Sequence, residues 1–322
     1  MKILLIVKII GGESMIAESF MFKGKDGLEI FVYKWMPDVD MQVKGVVQLS
    51  HGMAETAARY EEFAKNLTKN GFIVYANDHR GHGETAGRIE TLGELGEDGF
   101  NSMVEDMHIL NNIIKKENMS LPIFLFGHSM GSFLTQRYIC LYGSGLKGVI
   151  LTGTCGKRGI IVDVGRIASK VEIIRKGRNA KSINLNKLIF GSNNNFFKPN
   201  RTLFDWLSRD NKEVDKYIEN PYCGAVFTAG FFYDFLSGLK SAAYEEEIKN
   251  IPNNLPIYIF GGDKDPVGKN GKGTLKLVKT YGKHGVKDLT YKSYKDGRHE
   301  MLHEINKDEV TTDIIKWINA HV

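Results

Sequence analysis

The sequence predicts an α/β fold: a mostly parallel, doubly wound sheet with a mainly helical cap inserted late in the chain. Three observations carry this. Short apolar runs at residues 43–50, 72–76, 123–126 and 149–151 alternate with apolar stripes at helical spacing. The run at 123–126 passes directly into Gly127-His128-Ser129-Met130-Gly131 and then into a helical stripe of Phe133, Leu134, Tyr138 and Leu141. Between Cys155 and Lys240 the alternation breaks, and it resumes with runs at 257–260 and 289–294.

Taken in order, Asp26-Gly27 separates apolar runs at 20–23 and 28–35, a strong signal for an antiparallel hairpin. The run at 43–50 ends in His51-Gly52-Met53-Ala54-Glu55, and Tyr60, Phe63, Ala64 and Leu67 then form a helical stripe closed by Asn70-Gly71. The run at 72–76 leads into Asp78-His79-Arg80-Gly81-His82-Gly83, and Met103, Met107, Leu110, Ile113 and Ile114 mark a long helix before the central strand. Within 155–240, Ile160, Val164, Ile167, Ala168, Val171 and Ile174 predict an amphipathic helix. A polar loop at 191–195, a helix around Trp206 and an aromatic cluster of Phe227, Phe231, Phe232, Tyr233 and Phe235 follow. The final helix carries Ile314, Ile315 and Ile318. The chain thus divides into a core of residues 1–154 and 241–322, with 1–14 as an N-terminal extension, and a cap or lid of residues 155–240 over the sheet's carboxyl edge.

Composition narrows the function. The 322 residues are 42% hydrophobic and 25% charged, ordinary for a soluble globular enzyme. A formal net charge of +5 is too mild for a nucleic-acid partner. Three cysteines, Cys140, Cys155 and Cys223, make no disulfide framework and suit a reducing, cytoplasmic setting. No Cys/His group has metal spacing, and neither metal nor cofactor is expected. The N-terminal apolar run resembles the start of an export signal, but Lys8 interrupts it and no small-x-small site follows. It reads instead as an extra strand or an extension ahead of Met15. Residues 155–240 hold fifteen Lys and Arg against eight Asp and Glu, so the cap is the basic part of the molecule.

The chemistry centres on Ser129. A nucleophile on a strand-to-helix turn sits in strained backbone, and its neighbours two residues away must be small. A serine needs a base, and the base an acid, in the chain order Ser, Asp or Glu, His. After the run at 257–260 comes Gly262-Asp263-Lys264-Asp265-Pro266, and after 289–294 comes Asp296-Gly297-Arg298-His299-Glu300. Asp265, held extended by the following proline, is favoured over Asp263, and His299 over His303. Oxyanion N–H groups are expected from Met130, just past the nucleophile, and from Met53, with His51 ordering its loop.

Together these motifs, with Arg59-Tyr60, resemble the monoacylglycerol lipase and lysophospholipase family of α/β-hydrolases, a group classed with serine-aminopeptidase-like hydrolases. The likeness spans about residues 20 to 322, strong in the core and weak in the cap. It implies Ser129, Asp265 and His299 as the triad and Met53 and Met130 as the oxyanion donors. Glu55 and Arg59 would line a polar pocket for the glycerol end. One departure is visible: animal members carry a second histidine three residues after the catalytic one, whereas His303 is four away. The expected activity is hydrolysis of single-chain lipid esters, monoacylglycerol or lysophospholipid, through an acyl-enzyme. A general short-chain esterase or thioesterase is the alternative, and a non-catalytic ligand-binding homologue the reading from another class. Phe231 and Phe232 are expected to line an acyl channel, with the amphipathic cap helix contributing to it and the basic face meeting a membrane surface.

Overall fold

The computed structural model describes residues 4–10 and 13–322. Among these, nine strands form one sheet in the order β1-β2-β3-β5-β4-β6-β7-β8-β9. They are β1 (Leu4–Ile10), β2 (Glu13–Lys23), β3 (Glu29–Met36), β4 (Gly45–Ser50), β5 (Phe72–Asn77), β6 (Ile123–His128), β7 (Gly148–Thr152), β8 (Ile257–Gly262) and β9 (Leu289–Tyr294). β1, β2, β3 and β5 pair antiparallel, and every pair from β5 through β4 to β9 is parallel. The early apolar run therefore adds an edge strand, aligned from Leu4 opposite Ser19 to Ile10 opposite Glu13. Residues 1–3 and 11–12 of the expected extension lie outside the described residues.

The helices are α1 (Glu61–Lys69), the single turn α2 (Gly83–Ala86), α3 (Gly99–Glu117), α4 (Met130–Tyr142), α5 (Ile160–Lys176), α6 (Ile183–Phe190), α7 (Asn211–Glu219), α8 (Ala229–Ala242), α9 (Glu245–Ile248), α10 (Lys272–Lys283) and α11 (Lys307–Asn319). Side chains along a strand alternate between faces, so a strand buried on both sides must be apolar throughout. In β6, Phe124 and Phe126 join Phe63 and Leu67 of α1 and Ile314 and Ile318 of α11. Leu125 points the other way, toward Met103 of α3, Leu134 of α4 and Leu277 of α10. Apolar cores thus lie on both faces of one sheet. The parallel register sets Ser50 opposite Gly127, His128 opposite Thr152, Thr152 opposite Phe260, and Gly262 opposite Tyr294. The four carboxyl ends that bear the chemistry-bearing loops are therefore level along one edge.

Helices α5 to α9 lie between β7 and β8, and here two expectations are corrected. α5 does form over the predicted apolar stripe, but it turns that stripe outward. Ile160 is 81% exposed, Ile167 66% and Ile174 76%, while Val162, Gly165 and Ser169 are buried. Close approach to α8 selects the small face: a Cβ on Gly165 would sit 2.7 Å from Leu236 Cδ1. No helix surrounds Trp206. It lies in a turn that Asp205 closes by accepting hydrogen bonds from the Arg201 N–H (2.6 Å) and the Thr202 hydroxyl (2.5 Å).

Candidate active site

Ser129 stands between β6 and α4 with φ 50° and ψ −118°, a region that costs a non-glycine residue about 1–3 kcal/mol. The backbone is held there by the Ser129 N–H donating to Thr152 O at 3.0 Å, and by Ser129 O accepting from the Ser132 N–H at 2.9 Å. Both flanking glycines are required by close approach. A Cβ on Gly127 would lie 2.5 Å from Thr135 Oγ1, and one on Gly131 would collide with the Ser50 carbonyl. Met130 is the first residue of α4, so its N–H belongs to the set that a helix leaves without an internal acceptor.

The loop after β9 brings His299 to this serine. The Ser129 hydroxyl donates to His299 Nε2 at 2.9 Å, and His299 Nδ1–H donates to Asp265 Oδ1 at 2.9 Å. Asp265 is 1% exposed and also accepts from the Val267 N–H at 2.9 Å. Asp263, 34% exposed at its side chain, accepts instead from the Asp296 N–H at 2.8 Å, tying the loop after β8 to the loop after β9. His303 does not approach the serine; its Nε2 sits 3.3 Å from Arg59 O. Two further rings contact the His299 imidazole, His128 and Trp206, each with centroids 4.9 Å away. Burial, then the neighbouring His299, pushes the His128 pKa down to about 4, so His128 stays neutral at physiological pH.

The loop after β4 also reaches Ser129. His51 Nδ1–H donates to Gly52 O at 2.7 Å while its Nε2 accepts from the His79 N–H at 3.0 Å. In a trans peptide the C=O and the following N–H point in opposite directions. The bond to His51 thus aims the Met53 N–H away from His51. Gly52 lies against the nucleophile, since a Cβ there would be 3.2 Å from Ser129 Cβ. Glu55 anchors this loop by accepting from the Gly52 N–H at 2.5 Å and the Tyr60 hydroxyl at 2.9 Å.

Arg59 departs from expectation. Its guanidinium is not a wall of the cavity but is bound to Glu55 at 2.5 Å and bidentately to Glu300 at 2.9 and 2.7 Å, beneath the Tyr217 ring. A buried cation needs paired anions, and two carboxylates supply them. Burial alone would raise both carboxyl groups, but Arg59 outweighs it and holds Glu55 and Glu300 below the usual carboxylate range. Glu300, next to His299 in sequence, lines the cavity where Arg59 was expected. Phe231 and Phe232 are also corrected. Both are fully buried in the core, Phe231 against Phe227 and His82 at 4.5 and 5.9 Å between ring centres, and neither lines the cavity.

The cavity over Ser129 has a volume of about 410 Å³. Its floor is Met53, Glu55, His128, Ser129, His299 and Glu300, and its walls are mostly apolar: Ile183 and Phe190 of α6, Leu203, Trp206, Leu207 and Val226. The helical stripe of α6 and the turn at Trp206 were not legible as cavity walls, because neither has a pattern that names its partner. Among the described residues no group of three or more His, Cys, Asp or Glu could hold a metal. A strained serine hydrogen-bonded to a buried His–Asp pair, beside apolar walls, is an arrangement for nucleophilic acyl transfer.

Comparison with known proteins agrees with this fold. Residues 41–306 match the family described as serine aminopeptidase, S33. The monoacylglycerol lipase of Mycolicibacterium smegmatis is 28% identical over 309 residues, covering 94% of this chain and 96% of that protein. The monoglyceride lipase of Rattus norvegicus is 28% identical over 301 residues, 92% of this chain and 88% of its own. The crystal structure of a thermostable carboxyl esterase from Bacillus coagulans in complex with glycerol superposes with a TM-score of 0.88 at 29% identity, covering 95% of this chain and 98% of that one. A family match over most of the chain, on this strand order and this serine turn, means that the protein belongs to the serine aminopeptidase, S33 family of α/β-hydrolases.

Proposed function

We propose that this protein is a serine carboxylic-ester hydrolase that cleaves single-chain lipid esters, monoacylglycerol or lysophospholipid, through an acyl-enzyme. The observation that carries the reading is the Ser129–His299–Asp265 chain of 2.9 Å hydrogen bonds opening into a mostly apolar cavity with two carboxylates on its floor. Ser129 Oγ attacks the ester carbonyl while His299 Nε2 takes its proton, and Asp265 stabilises the imidazolium that forms. The N–H groups of Met53 and Met130 receive the oxyanion. His299 returns the proton to the departing alcohol, and water repeats the sequence on the acyl-enzyme. The acyl chain lies along Ile183, Phe190 and Leu203, and Glu55 with Glu300 accepts hydrogen bonds from the hydroxyl groups of the alcohol. The lipase and esterase relatives support this substrate class.

We place the enzyme against a membrane surface on the cytoplasmic side. The support is the outward apolar stripe of α5, flanked by the exposed cations Lys170, Arg175 and Lys176. No helix among the described residues is long and apolar enough to cross a membrane.

The test is a p-nitrophenyl ester series from acetate to palmitate beside monoacylglycerol and lysophospholipid. Activity is expected to peak at medium or long acyl chains, and Ser129→Ala is expected to lower kcat on the order of 10⁶-fold with the fold intact. Activity confined to acetate and butyrate would leave a general short-chain esterase. Turnover surviving in Ser129→Ala would remove the mechanism.

A further inference from the structure

The stretch between α6 and α7 is fastened to the loop that bears His299. The His299 and Glu300 N–H groups donate to Trp206 O and Leu207 O at 3.4 and 2.8 Å, and Arg298 donates to the carbonyls of Asp205 and Ser208, the latter at 3.0 Å. The Ser208 hydroxyl donates to His303 O at 2.7 Å, and Arg209 pairs with Glu304 at 2.9 Å. Trp206 is itself braced. Its backbone N–H donates to Asn194 Oδ1 at 2.9 Å, and the Phe190 ring stacks on its indole at 6.1 Å and 25°.

These bonds matter because of what the triad leaves free. The hydrogen bonds to Ser129 and Asp265 use the two ring nitrogens of His299 and define an axis through the imidazole. Neither bond restrains rotation about that axis. A ring lying against the imidazole does, and the Trp206 indole lies 4.9 Å away with planes 35° apart. A cation within about 6 Å of an indole centre is also attracted by the ring's quadrupole. On taking the serine proton the imidazole becomes such a cation.

We propose that Trp206 is a positioning residue for His299, holding the imidazole at its working tilt and offering a π surface to the imidazolium formed during acyl transfer. The proposal rests on the reading of Ser129 as the nucleophile. His128, in contact with the same imidazole, complements it by staying neutral and so not repelling that charge. Nothing in the sequence around Trp206 announced the role; the cap carries the residue across to the sheet edge.

The experiment compares Trp206→Leu, which fills space without a π face, with Trp206→Phe, which keeps one. Full-length wild type and both variants are assayed for kcat, KM and the pH dependence of kcat/KM on a p-nitrophenyl ester, and for Ser129 labelling by a fluorophosphonate read by mass spectrometry. Trp206→Leu is expected to lower kcat about tenfold with KM changed less than about twofold, and to move the acid limb of kcat/KM to lower pH. Trp206→Phe is expected to restore most of kcat and to return the limb. Trp206→Met replaces the Leu variant if that variant does not fold. Equal behaviour of the apolar and aromatic variants, or changes in KM alone, would overturn the proposal and leave Trp206 as a cavity wall. If Ser129 of the wild type is not labelled, the nucleophile reading falls and this proposal falls with it. Labelled wild type with indistinguishable variants overturns this proposal alone.

Discussion

At the scale of single residues, two aspartates two positions apart have opposite surroundings. Asp265 is buried, faces His299 Nδ1 and is pinned by the Val267 N–H, whereas Asp263 bridges to the Asp296 N–H of the loop after β9, in contact with solvent. An asparagine at 265 presents an amide that can donate to Nδ1 and select the wrong imidazole tautomer. Asp265→Asn is therefore expected to lower kcat on the order of 10⁴-fold, and Asp263→Asn by less than about threefold. Steady-state kinetics on one soluble ester decides it. The reverse ranking would move the acid to Asp263. At Glu300 the carboxylate occupies the position on the cavity floor that the family resemblance implied for Arg59, because Arg59 is saturated by its two anionic partners.

At the scale of elements, neither α5 nor α8 lines the acyl channel to which both were expected to contribute. The aromatic face of α8, with Phe231, Phe232 and Phe235, is core, and the aliphatic stripe of α5 is surface. Acyl-length control accordingly shifts to α6 and Leu203, which do line the cavity. For α5, Ile167→Ser combined with Ile174→Ser is expected to abolish sedimentation with phosphatidylglycerol vesicles. Turnover of a soluble butyrate ester should change less than about twofold, since neither residue lines the cavity. Unchanged vesicle binding would remove the membrane reading while leaving the esterase intact.

At the scale of the molecule, buried titratable groups set a pH limit on stability. Burial holds the His79 and His82 pKa values well below 6.5 and that of His128 at about 4. Below pH 6.5 the unfolded chain binds protons at these positions that the folded chain refuses, so stability falls as pH falls through that window. Glu55 and Glu300 act in a lower one. Their depressed values favour the folded state above the unfolded carboxylate pKa, and that contribution is lost as pH drops through their folded values. Thermal unfolding scanned by pH is expected to give Tm falling from pH 7 to 4.5 and more steeply below pH 4, with a shallower slope between 6.5 and 4.5 in His128→Gln. A Tm independent of pH from 7 to 4.5 would contradict the buried, neutral histidines.

What the sequence determined by itself was local. The glycines around Ser129, the Asp26-Gly27 hairpin, the apolar strands buried on both faces and the order Ser129, Asp265, His299 are consequences of backbone conformation and of periodicity, which neighbours in the chain dictate. The strand ends that carry these residues follow from the parallel register. What only the tertiary structure decided was partnership. An apolar stripe shows that a helix has two faces, not which surface each will meet, so the outward turn of α5 depended on the packing of Gly165 against Leu236. The pairing of Arg59 with Glu300 joins residues 241 positions apart, and the contact of Trp206 with His299 joins the stretch between α6 and α7 to the loop after β9. Such contacts are set by how whole elements pack, because a buried charge or ring takes the partner that the assembled fold brings within reach, and no local pattern encodes that distance.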